Sequence, residues 1–155
     1  MRRSEREITD KNEIEKFISE EQIMRVAFYD DGEIYIVPVN YGYTYNHDEY
    51  TFYFHGAKAG RKYELSKVKS LIGFEIDGKY KLLEGEIACD FSAKFQSIVG
   101  TGEIYIVNDI EEKENGLNSI MKQVTKVNTW NYDRRRIDSV AVFKINVKKM
   151  SCKAK

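Results

Sequence analysis

The chain has 155 residues, a length that fits one domain. Hydrophobic residues make up 42% and charged residues 32%, so a packed core is expected and a disordered chain is not. The 25 basic and 25 acidic residues cancel, so no global charge favours nucleic acid or an anionic membrane as a partner. Eleven tyrosines and a single proline favour a sheet over a helical bundle.

Compartment and metal content follow from what the sequence lacks. The two cysteines, Cys89 and Cys152, cannot form a disulfide framework, and neither lies in a metal-ligand spacing. The basic start, residues 1–10, contains no apolar run that would make it an export signal. No segment approaches the roughly 18 apolar residues that a membrane span needs. We therefore expect a cytoplasmic protein without a metal centre.

The first half of the chain alternates turn signals with apolar runs. Asp10 and Glu13 form a capping pair for a helix over 11–20, whose inner face would carry Ile14, Phe17 and Ile18. The turns are predicted at 30–32 and 46–48. The elements predicted next are strands 23–29, 33–43 and 50–55, a helix over 58–68, and strand 70–76.

The second half is predicted to contain one helix and two clear strands. Residues 80–89 fit a weak strand or an irregular segment, and the helix begins after Asp109. The strands cover 95–107 and 139–147, with a frayed tail over 148–155. The inner side of the helix would carry Ile110, Leu117, Ile120, Met121 and Val124. Six or seven strands with two or three helices predict a mainly β fold, a closed antiparallel barrel with peripheral helices in one domain over 1–155.

A glycine-spaced basic loop follows the third strand. Gly56 and Gly60 would let backbone amides approach an anion, and Arg61 and Lys62 would supply hydrogen bonds and charge. This pattern is typical of a phosphate site. It is also typical of a helix start whose charged side chains are solvated.

The strand before that loop contains an apolar stretch with a polar end: Val37, Pro38, Val39 and Asn40. Pro38 leaves a gap in the hydrogen-bond ladder, so neighbouring backbone groups could bind the polar rim of a planar ring. The alternative is an edge strand that uses proline to prevent aggregation. A flat apolar slot beside a phosphate site suits flavin mononucleotide (FMN).

Further polar residues are candidates for the same site. His55 ends the third strand and could contact phosphate, ring or substrate, or donate a proton; it could equally be a hydrogen-bonded strand-end histidine. Gln96 and Ser97 open the long strand and can donate to a phosphate or a ring carbonyl. His47 lies in a turn and is expected to be exposed.

Other conspicuous residues have simpler interpretations. Cys89 is expected to be buried and inert, and Trp130 to be a core anchor. The run 134–136 of three arginines is typical of a solvated turn. The density of tyrosine over 41–53 fits barrel packing, an interface or a substrate wall.

Five segments in this order and spacing resemble a known family. They are IVPVNYGY (36–43), YFHGAKAGRK (53–62), GFEIDG (73–78), ACDFSAKFQSIVGTGEI (88–104) and VAVFKINV (140–147). The chain resembles the pyridoxamine 5′-phosphate oxidase-like, FMN-binding split-barrel superfamily, and within it the nitroimidazole-resistance branch.

The resemblance implies a six-stranded split barrel that forms a homodimer with two FMN sites at its interface. Within that site it implies that Arg61 and Lys62 hold the phosphate and that Gln96 and Ser97 reach the flavin from the partner chain. Residues implied to line or flank the ring are Val37, Pro38, Val39, Asn40, Phe54 and His55. FAD could use the same phosphate loop.

The expected function is an FMN-dependent oxidoreductase that takes electrons from a nicotinamide cofactor or another donor and reduces a small oxidised substrate such as a nitroaromatic. Pyridoxamine 5′-phosphate oxidases of this family carry a C-terminal arginine that grips the vitamin phosphate. This chain has no arginine after Arg136, which disfavours vitamin B6 oxidation. A non-catalytic flavin or haem binder, with His55 as a haem ligand, is the main alternative.

Overall fold

The computed structural model describes residues 4–155; residues 1–3, the start of the basic segment considered above, lie outside this range. Two short 3-10 turns occupy Ser4–Arg6 and Ala88–Asp90. Among residues 4–155, no helix combines the length and the apolar character needed to cross a bilayer. The elements in chain order are β1 (Glu7–Ile8), α1 (Lys11–Glu20), β2 (Ile23–Asp30), β3 (Glu33–Asn40), β4 (Gly42–Asn46), β5 (Glu49–Ala57), α2 (Arg61–Leu65), β6 (Ser70–Leu83), β7 (Ser92–Ile106), α3 (Ile110–Thr125), α4 (Arg134–Ser139) and β8 (Val140–Ala154).

The strands form one antiparallel sheet in the order β3-β2-β6-β7-β8-β5-β4, and β1 pairs with β8. β3 also contacts β5, but the described strands show no ladder between them. The sheet is therefore rolled into a barrel that is split at this point, which confirms the predicted fold class. The described residues form eight strands instead of six, because β1 is an extra short strand and a break at Tyr41 divides the predicted strand 33–43 into β3 and β4.

Apolar side chains from alternating strand positions fill the barrel. Phe17 and Ile18 of α1 are buried against this core, as the helix prediction required. Tyr41 packs edge-on against Phe52 with ring centroids 5.6 Å apart, and its hydroxyl donates to the carbonyl of Ile18. Burying each such side chain contributes about 1.5–3 kcal/mol. Part of the tyrosine density is thus barrel packing.

Helix α3 packs on the outer side of β4 and β5. Its N-cap Asp109 accepts a hydrogen bond from the backbone N–H of Glu112, as predicted. The predicted inner face is wrong in part, because Val124 is exposed, whereas Gly116 and Gln123 are buried. The helix turns this polar face inward because its backbone at Ser119 lies directly against Gly42 of β4 and the side-chain amide of Gln123 donates to the carbonyls of Ile18 and Glu21.

The C-terminal segment 148–155 is not frayed, contrary to the prediction. β8 continues to Ala154 and lies between β7, where Gln96 is opposite Ala154, and β1, where Ile8 is opposite Cys152. Cys152 is buried. The hydrogen bonds of a sheet are made by backbone groups, which every residue type carries. The lysine-rich side chains of this segment therefore gave no indication of the strand.

Candidate functional site

The basic loop leads into α2, a helix of five residues that begins at Arg61 and is shorter than predicted. Gly60 precedes it with φ of 91°, a left-handed conformation that glycine adopts without steric cost. This turn places Arg61 and Lys62 in consecutive helical positions, so their side chains leave the helix in different directions. The two cations therefore occupy two neighbouring environments.

Arg61 is held by the tip of the β2–β3 hairpin. Its Nε lies 2.6 Å from Oδ2 of Asp30, its Nη2 lies 2.8 Å from Oε2 of Glu33, and its guanidinium stands 5.0 Å from the ring centroid of Tyr35. The hydrogen bonds to Glu33 and Asp30 raise the pKa of Arg61. Two of the five guanidinium N–H donors are used, which leaves three for an anion.

Lys62 covers one end of the barrel core. Its Nζ stands 5.6 Å from the ring centroids of both Phe54 and Phe143, which stack at 4.6 Å. Gly56 makes room for it, since a Cβ there would lie 3.0 Å from Nζ. Burial lowers the pKa of Lys62, and within residues 4–155 no carboxylate pairs with it. A ligand anion would stabilise this charge.

His55 lies on β5 between Phe54 and Gly56, with its side chain on the other face of the strand. It reaches the surface, yet the protein packed around it lowers the pKa of its imidazole, and the positive charge of Lys62 lowers it further. The imidazole is therefore neutral at neutral pH. In that form it can donate one N–H or present a nitrogen lone pair.

The predicted ring-binding stretch lies on β3, which is an edge strand of the sheet. β3 is thus the edge strand that one of the two interpretations of Pro38 predicted. Val37 and Val39 point toward the core, whereas Pro38 and Asn40 are exposed on the outer face. Asn40 donates from Nδ2 to the carbonyl of Gln22 at 3.1 Å. Two of the four side chains therefore face the core and two face the outer surface, and the four residues share only the free backbone edge of β3.

Gln96 and Ser97 lie far from the cations within one chain. Gln96 is buried and donates from Nε2 to Sγ of Cys152 at 3.7 Å, while Ser97 is half-buried on the opposite face. The other end of β7, Ile106, is aligned with Phe143 and through it with Phe54. Ten residues of strand separate the two ends, about 33 Å of chain. A single chain does not unite the two groups.

Sequence reasoning missed four residues that shape the cation pair: Asp30, Glu33, Tyr35 and Phe143. Asp30 was part of a turn signal and Glu33 began the predicted strand 33–43, and nothing in the pattern joins either of them to Arg61, 31 and 28 residues further on. Two simpler interpretations are also wrong: Cys89 is exposed in a 3-10 turn, and Trp130 is 41% exposed instead of anchoring a core. His47 is exposed in its turn, as predicted.

The fold and this end of the barrel define the class of the protein: a split antiparallel β-barrel with an adjacent arginine and lysine at one end. Residues 10–154 match the family model described as pyridoxamine 5′-phosphate oxidase, and the chain belongs to this family. The family includes oxidoreductases. The resemblance stated from the sequence is confirmed.

Three solved structures illustrate the relationship. A candidate 5-nitroimidazole antibiotic resistance protein from Bacteroides thetaiotaomicron is 30% identical, with 96% of this chain and 86% of that one covered and a TM-score of 0.79. The flavocytochrome Anf3 from Azotobacter vinelandii is 17% identical, with coverages of 100% and 72% and a TM-score of 0.79. The FAD and haem binding protein from Mycobacterium smegmatis is 12% identical, with coverages of 97% and 73% and a TM-score of 0.82. No curated protein matches the chain at a significant level.

Proposed function

We propose that this protein is an FMN-dependent oxidoreductase that reduces a small oxidised substrate such as a nitroaromatic. The observation that carries the proposal is the half-buried Lys62, which lacks a carboxylate partner in the described chain and lies beside Arg61. Family membership supports a flavin, and the 30% identical candidate resistance protein supports the substrate class. The electron donor would be a nicotinamide cofactor or another small reductant.

The donor set fits a flavin phosphate. Arg61 offers three further N–H donors on a side chain that is 42% exposed, and Lys62 offers an ammonium group on a half-buried side chain. A terminal phosphate dianion matches these two cations, so we propose FMN; FAD is the outcome that chromophore analysis would have to exclude. When bound, the flavin supplies the redox chemistry, and the protein supplies binding, orientation and electrostatics.

The remaining predicted residues divide by burial. Phe54 is fully buried, so its contribution is to support Lys62 from within the barrel. The backbone of Val37–Asn40 lies at a sheet edge, where unpaired groups can bind the rim of a ring. His55 is the candidate proton donor; because its pKa is lowered in the free protein, it would have to take up a proton before it could donate one, and a ligand dianion near Lys62 would favour that uptake.

A homodimer would complete the site. The outer face of the sheet exposes Ile34 and Ile36 on β3, Leu71 on β6 and Val99 on β7, at 51–64% of their surface. Cross-strand pairs place them on one face, where Ile36 is opposite Ala27 and Val99 opposite Glu75. Apolar area of this kind marks an interaction surface. A second copy on this face could bring its Ser97, which shares the outer face with Val99, to the cations, whereas Gln96 is buried and would have to leave the core to do so.

The test is the visible spectrum of freshly purified protein, followed by mass identification of the released chromophore. FMN release, together with NADH-dependent loss of a nitroaromatic absorbance that requires the protein, is the expected result. A colourless protein that also fails to bind added FMN would falsify the cofactor proposal. If the protein contains flavin but shows no turnover with any electron donor and substrate tested, it would be a flavin carrier and not an enzyme.

Non-catalytic flavin or haem binding is the second candidate, and it is favoured by one observation. His55 is neutral and reaches the surface, so its imidazole nitrogen could ligate a haem iron. A Soret band that is lost in His55→Ala would support this candidate over the reductase.

A further inference from the structure

A groove of about 450 Å³ lies between α1, β4 and α3. Its volume is in the range of ligand sites in proteins, 300–1,000 Å³ by order of magnitude. None of the residues that line it belongs to the predicted flavin set. The groove is therefore a separate feature of this chain.

The floor of the groove is the free edge of β4. Four consecutive residues, Tyr43 to Asn46, line it. Neighbouring residues of a strand point to opposite faces, so a surface that includes all four must be the edge. β4 is the last strand of the sheet order, which leaves this edge without a neighbouring strand in the described chain.

The hairpin register shows which backbone groups face the groove. His47 and Asp48 have φ of 51° and 64°, so a two-residue turn joins Asn46 to Glu49, which are paired. In such a hairpin the closing pair exchanges hydrogen bonds, and the pairs alternate from there. The N–H and C=O groups of Tyr43 and Tyr45 consequently point away from β5, into the groove.

The walls of the groove are fixed to each other. Gln123 on α3 donates from Nε2 to the carbonyls of Ile18 and Glu21, each at 2.6 Å. Lys126 donates from Nζ to the carbonyl of Ser19 at 2.7 Å. These bonds hold α1 and α3 together beneath the strand edge. A ligand would therefore meet a preformed slot and would not have to order it.

The α3 wall carries a positive charge that the described chain does not neutralise. Lys122 lines the groove one turn before Lys126, and no carboxylate of residues 4–155 pairs with it. Glu15 on α1 lies on the other wall. We propose that the groove binds an extended peptide that adds as a strand to β4 and directs an acidic side chain toward Lys122. Strand addition satisfies the backbone edge, and charge complementarity sets the orientation.

A fluorescein-labelled, end-blocked peptide of sequence Val-Glu-Val-Glu-Val is the probe, titrated into the full chain by fluorescence anisotropy. We expect saturable binding with amide NMR shifts at Tyr43 and Tyr45. Lys122→Glu should weaken binding by at least about tenfold, since it opposes like charges. The matched control is Lys81→Glu, a charge reversal at an exposed lysine on β6, which should have no effect.

A second measurement changes the ligand only, so it does not depend on a variant folding. Two versions of the same peptide carry methylated backbone nitrogens at alternate residues, one at the odd and one at the even positions. Only one of these sets of N–H groups can face β4, so we expect one version to lose binding and the other to keep it. No saturation at about 1 mM of the unmodified peptide would overturn the proposal. A peptide affinity that is unchanged both by backbone methylation and by Lys122→Glu would also overturn the proposal. If free glutarate displaces the probe and methylation has no effect, the groove is a small-anion site and strand addition is wrong.

Discussion

The Nε of Arg61 lies 2.6 Å from Oδ2 of Asp30, which joins the first residue of α2 to the tip of the β2–β3 hairpin. The pair orients the guanidinium at the end of the barrel where Lys62 also lies. A second contact, from Nη2 of Arg61 to Oε2 of Glu33 at 2.8 Å, connects the predicted phosphate loop to β3, the strand predicted to bind the ring. An arginine–carboxylate ion pair at this exposed surface contributes little to the free energy of unfolding, so its effect should appear in ligand binding.

Arg61→Ala should weaken FMN binding roughly ten- to over a hundred-fold, because it removes a charged hydrogen bond worth about 1.5–3 kcal/mol. Quenching of FMN fluorescence during titration measures the dissociation constant. Arg135→Ala, which removes an exposed arginine of α4, is the matched control and should bind as wild type. Unchanged affinity in Arg61→Ala would remove the anchor assignment.

Lys62→Met should lower FMN affinity by about tenfold or more while leaving the fold intact. Met keeps an unbranched apolar chain over Phe54 and Phe143 and removes a charge whose burial is unfavourable. The free energy of unfolding, measured in urea, should therefore stay the same or rise. Parallel losses of stability and affinity would indicate that Lys62 acts through packing.

The pKa of His55 should rise when a dianion binds near Lys62, because it is lowered by burial and by that lysine's positive charge. NMR titration of the imidazole with and without FMN measures the change, and His47→Gln assigns the signal because the chain has two histidines. An unchanged His55 pKa in the FMN complex would place the anion elsewhere.

The same lowered pKa predicts a pH effect on stability in the ligand-free protein. The unfolded chain binds a proton at His55 before the folded chain does, so the free energy of unfolding falls as pH drops below about 6.5. The loss continues down to the folded pKa and then stops. His55→Gln should lack this part of the pH dependence, which urea unfolding between pH 5 and pH 8 would show.

If His55 acts in proton transfer, His55→Ala should lower turnover with flavin content unchanged.

Ile36→Glu should prevent dimerisation, because it places a charge in the exposed apolar face of β3 and β7. Sedimentation equilibrium should show a dimer for the wild type and a monomer for the variant, with lower flavin content. Val127→Glu, a change at an exposed residue after α3, is the control and should remain dimeric. A wild-type monomer that binds flavin fully would refute the shared site.

Gly42→Ala should destabilise the fold by about 3 kcal/mol, at the upper end of overpacking. A Cβ at Gly42 would lie 2.1 Å from the backbone carbon of Ser119, and two backbones cannot move aside as a side chain can. Gly73→Ala is the control, since its Cβ would meet Ala27 at an ordinary 3.8 Å. Chemical denaturation of both variants measures the difference.

Local patterns predicted the elements well where a short-range signal existed. Asp10 and Asp109 act as N-caps, and α1 covers the predicted residues, because capping is decided within one turn of helix. The order of apolar runs and turns predicted a mainly β barrel. Prediction failed where backbone hydrogen bonds or packing between distant residues determine the structure. The strand over 148–154 forms because β7 and β1 pair with it, and the buried face of α3 is set by its packing on β4.

The sequence by itself determined the fold class and the adjacency of Arg61 and Lys62, and it offered an edge strand as one of two interpretations of Pro38, since periodicity, turns and missing donors are local properties. Only the tertiary structure decided that Arg61 is bound by Asp30 and Glu33, and that Lys62 lies over stacked phenylalanines with no carboxylate partner among residues 4–155. It also showed that Gln96 and Ser97 lie at the far end of β7. These contacts join residues that are distant in sequence. Strand register and burial bring such residues together, and both are fixed only when the strands pair and the sheet closes into the barrel.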